Sequence, residues 1–297
     1  MFVRLTTTLR NWGEMIKFSH TVFALPFAIA SMVVAAQPSR GWPGWRLFLL
    51  ILLAMVTART CAMTFNRIVD RQWDRLNPRT KGRHLATGKV SLFSATVLCV
   101  LSGISFLGTS WFINSICFYL SPIALFVVCF YSWTKRFTDY THVYLGVALG
   151  LAPLGAWLAV QGSLAIPPII LSIAVVFWLI GFDIIYATQD YEFDRTHGLH
   201  SIVVGWGLKN ALQAAFIAHF IMWLLLASFG LILRFRLAYF GGLIVMGICL
   251  LIEHWLARKR SLKWINFAFF RLNALISIIF LVVTVVEIVF PMFRIRI

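Results

Sequence analysis

RLFLLILLAMVTARTCAMTFNRIVDRQWD, residues 46–74, decides the fold. Residues 46–69 form an apolar run of about twenty residues, the length of helix that crosses a bilayer core. Asn66 lies in the last turn of the run, with Asp70 and Asp74 just beyond its end. Eight more runs of this kind lie on either side, at 15–36, 92–110, 113–133, 143–161, 166–189, 209–232, 237–257 and 265–290. The connection between 92–110 and 113–133 is so short that these two helices make a hairpin. QPSRGWPGW (37–45) and QGSLAIPP (161–168) are turn-rich breaks. The expectation is an all-α integral membrane protein of nine spans, with 1–297 as a single membrane domain. A membrane β-barrel would show alternating segments of about ten residues, and there are none.

Composition agrees. The chain has 297 residues, of which 61% are hydrophobic and 12% charged; the mean hydropathy is +0.87. A soluble chain carries about twice that charged fraction, which excludes a soluble globular enzyme, and disorder needs low hydrophobicity. The net charge of +16 would suggest nucleic acid in a soluble chain. In a membrane chain it reads as lysines and arginines gathered on the cytoplasmic side and facing anionic headgroups. With nine spans, 18 of the 26 Lys and Arg fall on the side of the N-terminus and 6 on the other, while Arg59 and Arg271 lie within spans. That bias puts the N-terminus in the cytoplasm. The five cysteines all sit in apolar runs without CxxC spacing, so they read as small buried hydrophobes. No cleaved signal peptide is evident.

Only ten residues are acidic, and six of them fall in two segments, NRIVDRQWD (66–74) and DIIYATQDYEFD (183–194). A carboxylate at bilayer depth costs on the order of 2–3 kcal/mol or more, so such groups are rare without a role. On unbroken helices, at about 100° per residue, Asn66, Asp70 and Asp74 fall within roughly 80° of one another. Asp183, Asp190 and Asp194 fall within roughly 40°, and Glu192 points about 180° away. Two aspartate stripes at the cytoplasmic ends of two spans repel each other unless cations lie between them. Mg²⁺ suits that place, because it is held by one or two carboxylates plus substrate phosphates. The bland alternative is that these aspartates pair with neighbouring arginines at a wet interface. The two acidic ends, four spans apart, also hint at two similar halves.

These residues resemble the UbiA superfamily of intramembrane aromatic prenyltransferases. Asn66, Asp70 and Asp74 match its first aspartate-rich motif, except that the Asp usually following the Asn is Arg67 here. Asp183, Asp190 and Asp194 match the second motif, with Tyr186 in its YA step and Glu192 in an acidic slot. NPRTKGRHLATGKVS (77–91) resembles the basic loop after the first motif, YSWTKRF (131–137) a Lys-Arg step, and HTVFALPFA (20–28) the opening of the first helix.

The resemblance implies nine helices around a central cavity capped on the cytoplasmic side, in a bacterial-type inner membrane. It implies Mg²⁺-dependent transfer of a polyprenyl group from polyprenyl diphosphate to an aromatic acid of quinone biosynthesis. The acceptor is of the 4-hydroxybenzoate type or, alternatively, a dihydroxynaphthoate of a menaquinone (futalosine-type) pathway. Haem or chlorophyll prenylation fits less well.

The chemistry asks for such residues. Aspartates cannot hold a diphosphate directly, so Mg²⁺ bridges them. Nearby cations stabilise the leaving diphosphate; Lys17, Lys81, Arg83, Lys135 and Arg136 are the candidates, with ordinary inside-positive residues as the plain alternative. Arg59, inside its span and seven residues before Asn66, is a candidate to pair with an Asp or hold the acceptor carboxylate. Tyr186 is the aromatic placed to steady an allylic cation, and Asp190 is a candidate to collect the ring proton. His197 and His200 are three apart, but no second cluster completes a zinc site. A different class of function, an ion-coupled secondary transporter, would also use intramembrane carboxylates. It would place them nearer the midplane, without an adjoining basic loop.

Overall fold

The computed structural model describes residues 10–16, 24–258 and 261–290. After a short helix over 10–15, the helices are α1 (Ala24–Ala35), α2 (Trp45–Val69), α3 (Arg71–Leu76), α4 (Leu92–Ile113), α5 (Ser115–Thr134) and α6 (Thr141–Gln161). They continue with α7 (Ile166–Ala187), α8 (Tyr191–Thr196), α9 (Ile202–Ile232), α10 (Leu237–Arg258), α11 (Leu262–Phe267) and α12 (Asn273–Val289). There is no strand among the described residues. Eight helical stretches there are long and apolar enough to cross a membrane. The expected span 15–36 is described as a helix over Ala24–Ala35, with 17–23 outside the described residues.

The chain forms two compact units, one built on Leu49–Trp133 with residues 10–16, the other on residues 24–48 and the chain from Thr134 onward. In the first unit, Pro122 inside α5 cannot donate to the carbonyl of Phe118. The Ser121 hydroxyl donates to that carbonyl instead, at 2.7 Å, so the carbonyl is not left unpaired where water is scarce. Large side chains such as Phe93 (79% exposed) and Tyr119 (73%) project outward from α4 and α5, as a lipid-facing surface requires.

In the second unit α7 is the hub, packed against α6 and α9. Leu171, Ala174, Val175, Trp178, Leu179 and Ile185 on it are essentially fully buried. Phe280 stacks on Phe27 and Trp178 packs against it at a tilt of 50°, each with ring centroids 4.9 Å apart. Helices α6 and α7 meet through Gly146 and Gly150, a small-xxx-small pair that lets backbones approach closely. A Cβ on Gly146 would lie 2.9 Å from the Val176 carbonyl oxygen, and Ser172 donates to the Gly150 carbonyl at 2.6 Å.

Three expectations are corrected. The span expected at 209–232 is preceded by a short helical stretch from Ile202, where Ser201 accepts from the Val204 N–H, and the non-helical Gly207, at φ 77°, kinks the chain between the two parts. The Asn66–Asp70–Asp74 stripe is interrupted, because α2 ends at Val69 and Asp70 (φ −86°, ψ 3°) opens a new short helix. The Asp183–Asp190–Asp194 stripe is interrupted likewise by a 3₁₀ turn at Thr188–Asp190, with Asp190 at φ −100°, ψ 3°.

The α6–α7 contact gives a controlled prediction. Gly146→Ala would push against both the backbone and the side chain of Val176 and should cost about 1–3 kcal/mol. Gly155→Ala in the same helix, with nothing near its added Cβ, should be neutral or stabilising by up to about 1 kcal/mol. Thermal unfolding of the detergent-solubilised variants measures both.

Candidate active site

The two acidic segments end in the same local structure. DRQWDR (70–75) and DYEFDR (190–195) each begin with an Asp in the bridge region of backbone space, before a helix of six residues. Many active-site residues take that conformation. In each helix the second Asp is buried: Asp74 at 6% and Asp194 at 2% exposure. The helix that follows each segment is capped by a serine, Ser91 or Ser201.

In the first unit, Asn66 donates from Nδ2 to Asp70 Oδ2 at 2.8 Å. The buried Arg67 donates to Asn66 Oδ1, also at 2.8 Å. Arg83 closes on Asp74 at 2.6 Å. The basic loop that carries Arg83 is built rather than loose. Thr80 donates to the Asp74 carbonyl at 3.3 Å and Arg75 to the Ala86 carbonyl at 3.2 Å. Leu85 and Val90 bury against Met15, Ile16 and Ala95, and Trp12 donates to Ser94 at 3.0 Å. Lys81 is exposed on this loop. Arg59 lies about two helical turns from Asn66 along α2, and its buried Nε has no hydrogen-bond partner.

In the second unit, Lys135 Nζ lies 3.3 Å from Asp194 Oδ2. The two loops are clipped together: the His200 N–H donates to the Lys135 carbonyl at 2.8 Å, and His200 Nδ1 meets Asp139 at 3.0 Å. Asp190 is buried at 6% exposure. Asp183 Oδ2 is 2.6 Å from Nδ1 of His142. His142 opens α6 and is buried at 1% exposure. Sequence reasoning passed over it, since a lone histidine before an apolar run carries no signal. Tyr186 packs against a cluster of Ile184, Ile185, Ile202 and Val203. Arg136 is exposed. Lys17 lies outside the described residues.

The bland reading holds for Glu192, which is exposed and paired with Arg195 at 3.1 Å. It holds in part for Asp74, whose partner is an arginine of the same loop. Within either unit, no three His, Cys, Asp or Glu side chains among the described residues form a ready-made metal cage. Each segment supplies carboxylates with a cation already against one of them, and such an arrangement can take up an anion bridged by a hard metal ion.

Comparison with known proteins agrees. Over 274 residues the chain is 28% identical to the 4-hydroxybenzoate octaprenyltransferase of Paraburkholderia phytofirmans, covering 92% of this chain and 93% of that one. It is 33% identical over 245 residues to the protein of the same name from Methylobacillus flagellatus, covering 82% and 81%. Its fold is similar to the apo structure of a UbiA homolog from Aeropyrum pernix K1, with TM-score 0.81 at 29% identity over 90% of this chain and 98% of that one. It is also similar to a UbiA homolog from Archaeoglobus fulgidus bound to GPP and Mg²⁺, with TM-score 0.70 at 22% identity over 92% and 99%. The model of the UbiA prenyltransferase family matches residues 24–275; with most of its length accounted for by that match, this multi-pass membrane chain belongs to the UbiA prenyltransferase family.

Proposed function

We propose that the protein transfers a polyprenyl group from polyprenyl diphosphate to the ring of 4-hydroxybenzoate, with Mg²⁺, at the cytoplasmic face of a bacterial-type inner membrane. The observation that carries this reading is the repeated bridge-region Asp with a buried, cation-bound Asp four residues on: Asp70 and Asp74 with Arg83, Asp190 and Asp194 with Lys135. The names of the curated relatives and the ligands of the Archaeoglobus structure support it, as does the expectation that, with nine spans, 18 of the 26 Lys and Arg gather on one side.

The donors fit the ion. Asn66, Asp70, Asp74, Asp183, Asp190 and Asp194 offer oxygen and no sulfur, the set Mg²⁺ prefers. When bound, Mg²⁺ neutralises the diphosphate oxygens and so favours departure of the leaving group. Arg83 and Lys135 add positive charge beside the carboxylates, and the exposed Lys81 and Arg136 add more at the same loops. The C–O bond of the polyprenyl diphosphate breaks, its electron pair leaving with the diphosphate and an allylic cation remaining; a ring carbon of the acceptor attacks the cation, and Asp190 collects the ring proton. Tyr186 steadies the cation and Arg59 holds the acceptor carboxylate. His142 holds Asp183 in one orientation, as a hydrogen-bonded neighbour does for a metal-ligating side chain.

The test is to incubate membranes holding the protein with radiolabelled polyprenyl diphosphate and, separately, 4-hydroxybenzoate or a dihydroxynaphthoate. A prenylated 4-hydroxybenzoate, abolished by a chelator and restored by Mg²⁺, is the expected result. Label found only on the naphthoate would overturn the acceptor, and turnover unaffected by the chelator would overturn the metal.

Asp70→Ala and Asp190→Ala should each lower turnover at least about 10²–10³-fold, the scale of losing one group that stabilises transition-state charge, while the protein stays inserted and folded. His142→Ala should weaken Mg²⁺ dependence about 10–100-fold, read as a rise in the Mg²⁺ concentration giving half-maximal rate. An unchanged Mg²⁺ curve would remove His142 from that role.

A further inference from the structure

The second unit carries a cleft that the proposed reaction does not use. It lies between α9 and α10, has a volume of about 700 Å³, and is lined by Lys209, Leu212, Gln213, Phe216, Ile217, His254 and Arg258. On α9 the lining positions follow i, i+3, i+4, i+7 and i+8, which is one helical face. On α10 they are i and i+4. We propose that this cleft binds an anionic phospholipid, with the phosphate between Lys209 and Arg258 and an acyl chain along Phe216 and Ile217.

The order of the side chains along the helices supports a lipid. Lys209 lies near the N-terminal end of α9, just past the Gly207 kink, and Arg258 is the last residue of α10, so on these two oppositely running helices both stand at the same end of the cleft. Gln213 and His254 lie one turn deeper, about 6 Å. Phe216 and Ile217 lie another turn in, 46% and 57% exposed. Charge, then hydrogen-bonding groups, then exposed hydrocarbon is the order of phosphate, glycerol ester and acyl chain from headgroup to bilayer interior. A free phosphate would need only the first layer. Among the described residues no acidic side chain lines the cleft, and basic pockets between membrane helices on the cytoplasmic side are places where anionic headgroups bind.

The cleft wall is also fixed. His219 Nε2 donates to the Trp178 carbonyl at 3.1 Å, so in the neutral ring its Nδ1 accepts, and His254 Nε2 donates to it at 2.9 Å. Phe216 stands edge-on to the His254 ring, with centroids 5.2 Å apart. A wall held in this way gives a bound lipid a defined shape to fit.

Native mass spectrometry of the full-length protein in detergent, titrated with phosphatidylglycerol or with phosphatidylcholine, tests this. Wild type should prefer the anionic lipid by about thirtyfold, which is two cations at about 1 kcal/mol each. Lys209→Gln with Arg258→Gln should lose that preference. Lys209→Arg with Arg258→Lys should keep it, as should the charge-matched control Lys89→Gln with Arg40→Gln. Inorganic phosphate at millimolar concentration should not displace the lipid. Equal retention of phosphatidylglycerol by the Gln double variant and the control would overturn the proposal, and so would displacement by inorganic phosphate. The binding requires none of the aspartates at 70, 74, 183, 190 or 194, so it stands or falls separately from the proposed reaction.

Discussion

A carboxylate buried at the end of a membrane-crossing helix is tolerable only with a positive or hydrogen-bonding group fixed against it, because leaving one such charge uncompensated costs several kcal/mol. Asp74 has Arg83, Asp194 has Lys135 and Asp183 has His142. This demand shapes the chain around each acid. Arg83 can reach Asp74 only if residues 77–91 hold a defined path, and the burial of Leu85 and Val90 supplies it. Lys135 can reach Asp194 only if the 135–139 and 194–200 loops are joined, and His200 bonds to both Lys135 and Asp139. The ordered loops at the aspartate segments are therefore a consequence of burying charge there.

The other acidic residues show what purely structural carboxylates look like in this molecule. Glu14 and Glu192 are exposed and pair with neighbouring cations. Glu287 on α12 accepts from the Arg236 and Tyr239 N–H groups at 3.1 and 3.2 Å. There it satisfies the open N-terminus of α10, where negative charge is favoured. Glu253 accepts from Asn273 at 2.9 Å, and Asn273 in turn accepts from the Trp178 indole at 2.8 Å, joining α7, α10 and α12. None of these repeats a pattern. The two DxxxD segments do, each with a cation from outside the segment against its buried second Asp, which separates them from acids that only hold helices together.

The apolar runs made the spans legible, since length and composition alone select bilayer-crossing helices. The helix breaks were not legible. Neither RIVDRQW nor YATQDYE contains a glycine or proline, so nothing marks the stops at Val69 and Ala187; the stripes drawn on unbroken helices are interrupted there, although Asn66 and Asp70 still meet at i and i+4. The start of α9 was legible in principle: Ser201 before an apolar run is an N-cap signal, outweighed by the glycines at 205 and 207. His142 was not legible at all, because its partner Asp183 is 41 positions away and only the packing of α6 on α7 joins them.

The two segments share a backbone but not a chemistry, and the difference is electrostatic. Aligned on Asp70 and Asp190, the position of Asn66 is taken by Tyr186 and that of Arg67 by Ala187. The first segment therefore carries a buried guanidinium bonded to Asn66, within electrostatic reach of Asp70 and Asp74. The second carries in its place a small apolar side chain and, one helical turn before Tyr186, a third carboxylate at Asp183. A fixed positive charge repels a divalent ion as surely as it attracts a phosphate. The guanidinium thus weakens the hold of the first segment on a cation from solution and strengthens its hold on an anion, while the second segment keeps the stronger field for a metal. Under the proposed chemistry, the pair divides the work that two equal acidic motifs would share.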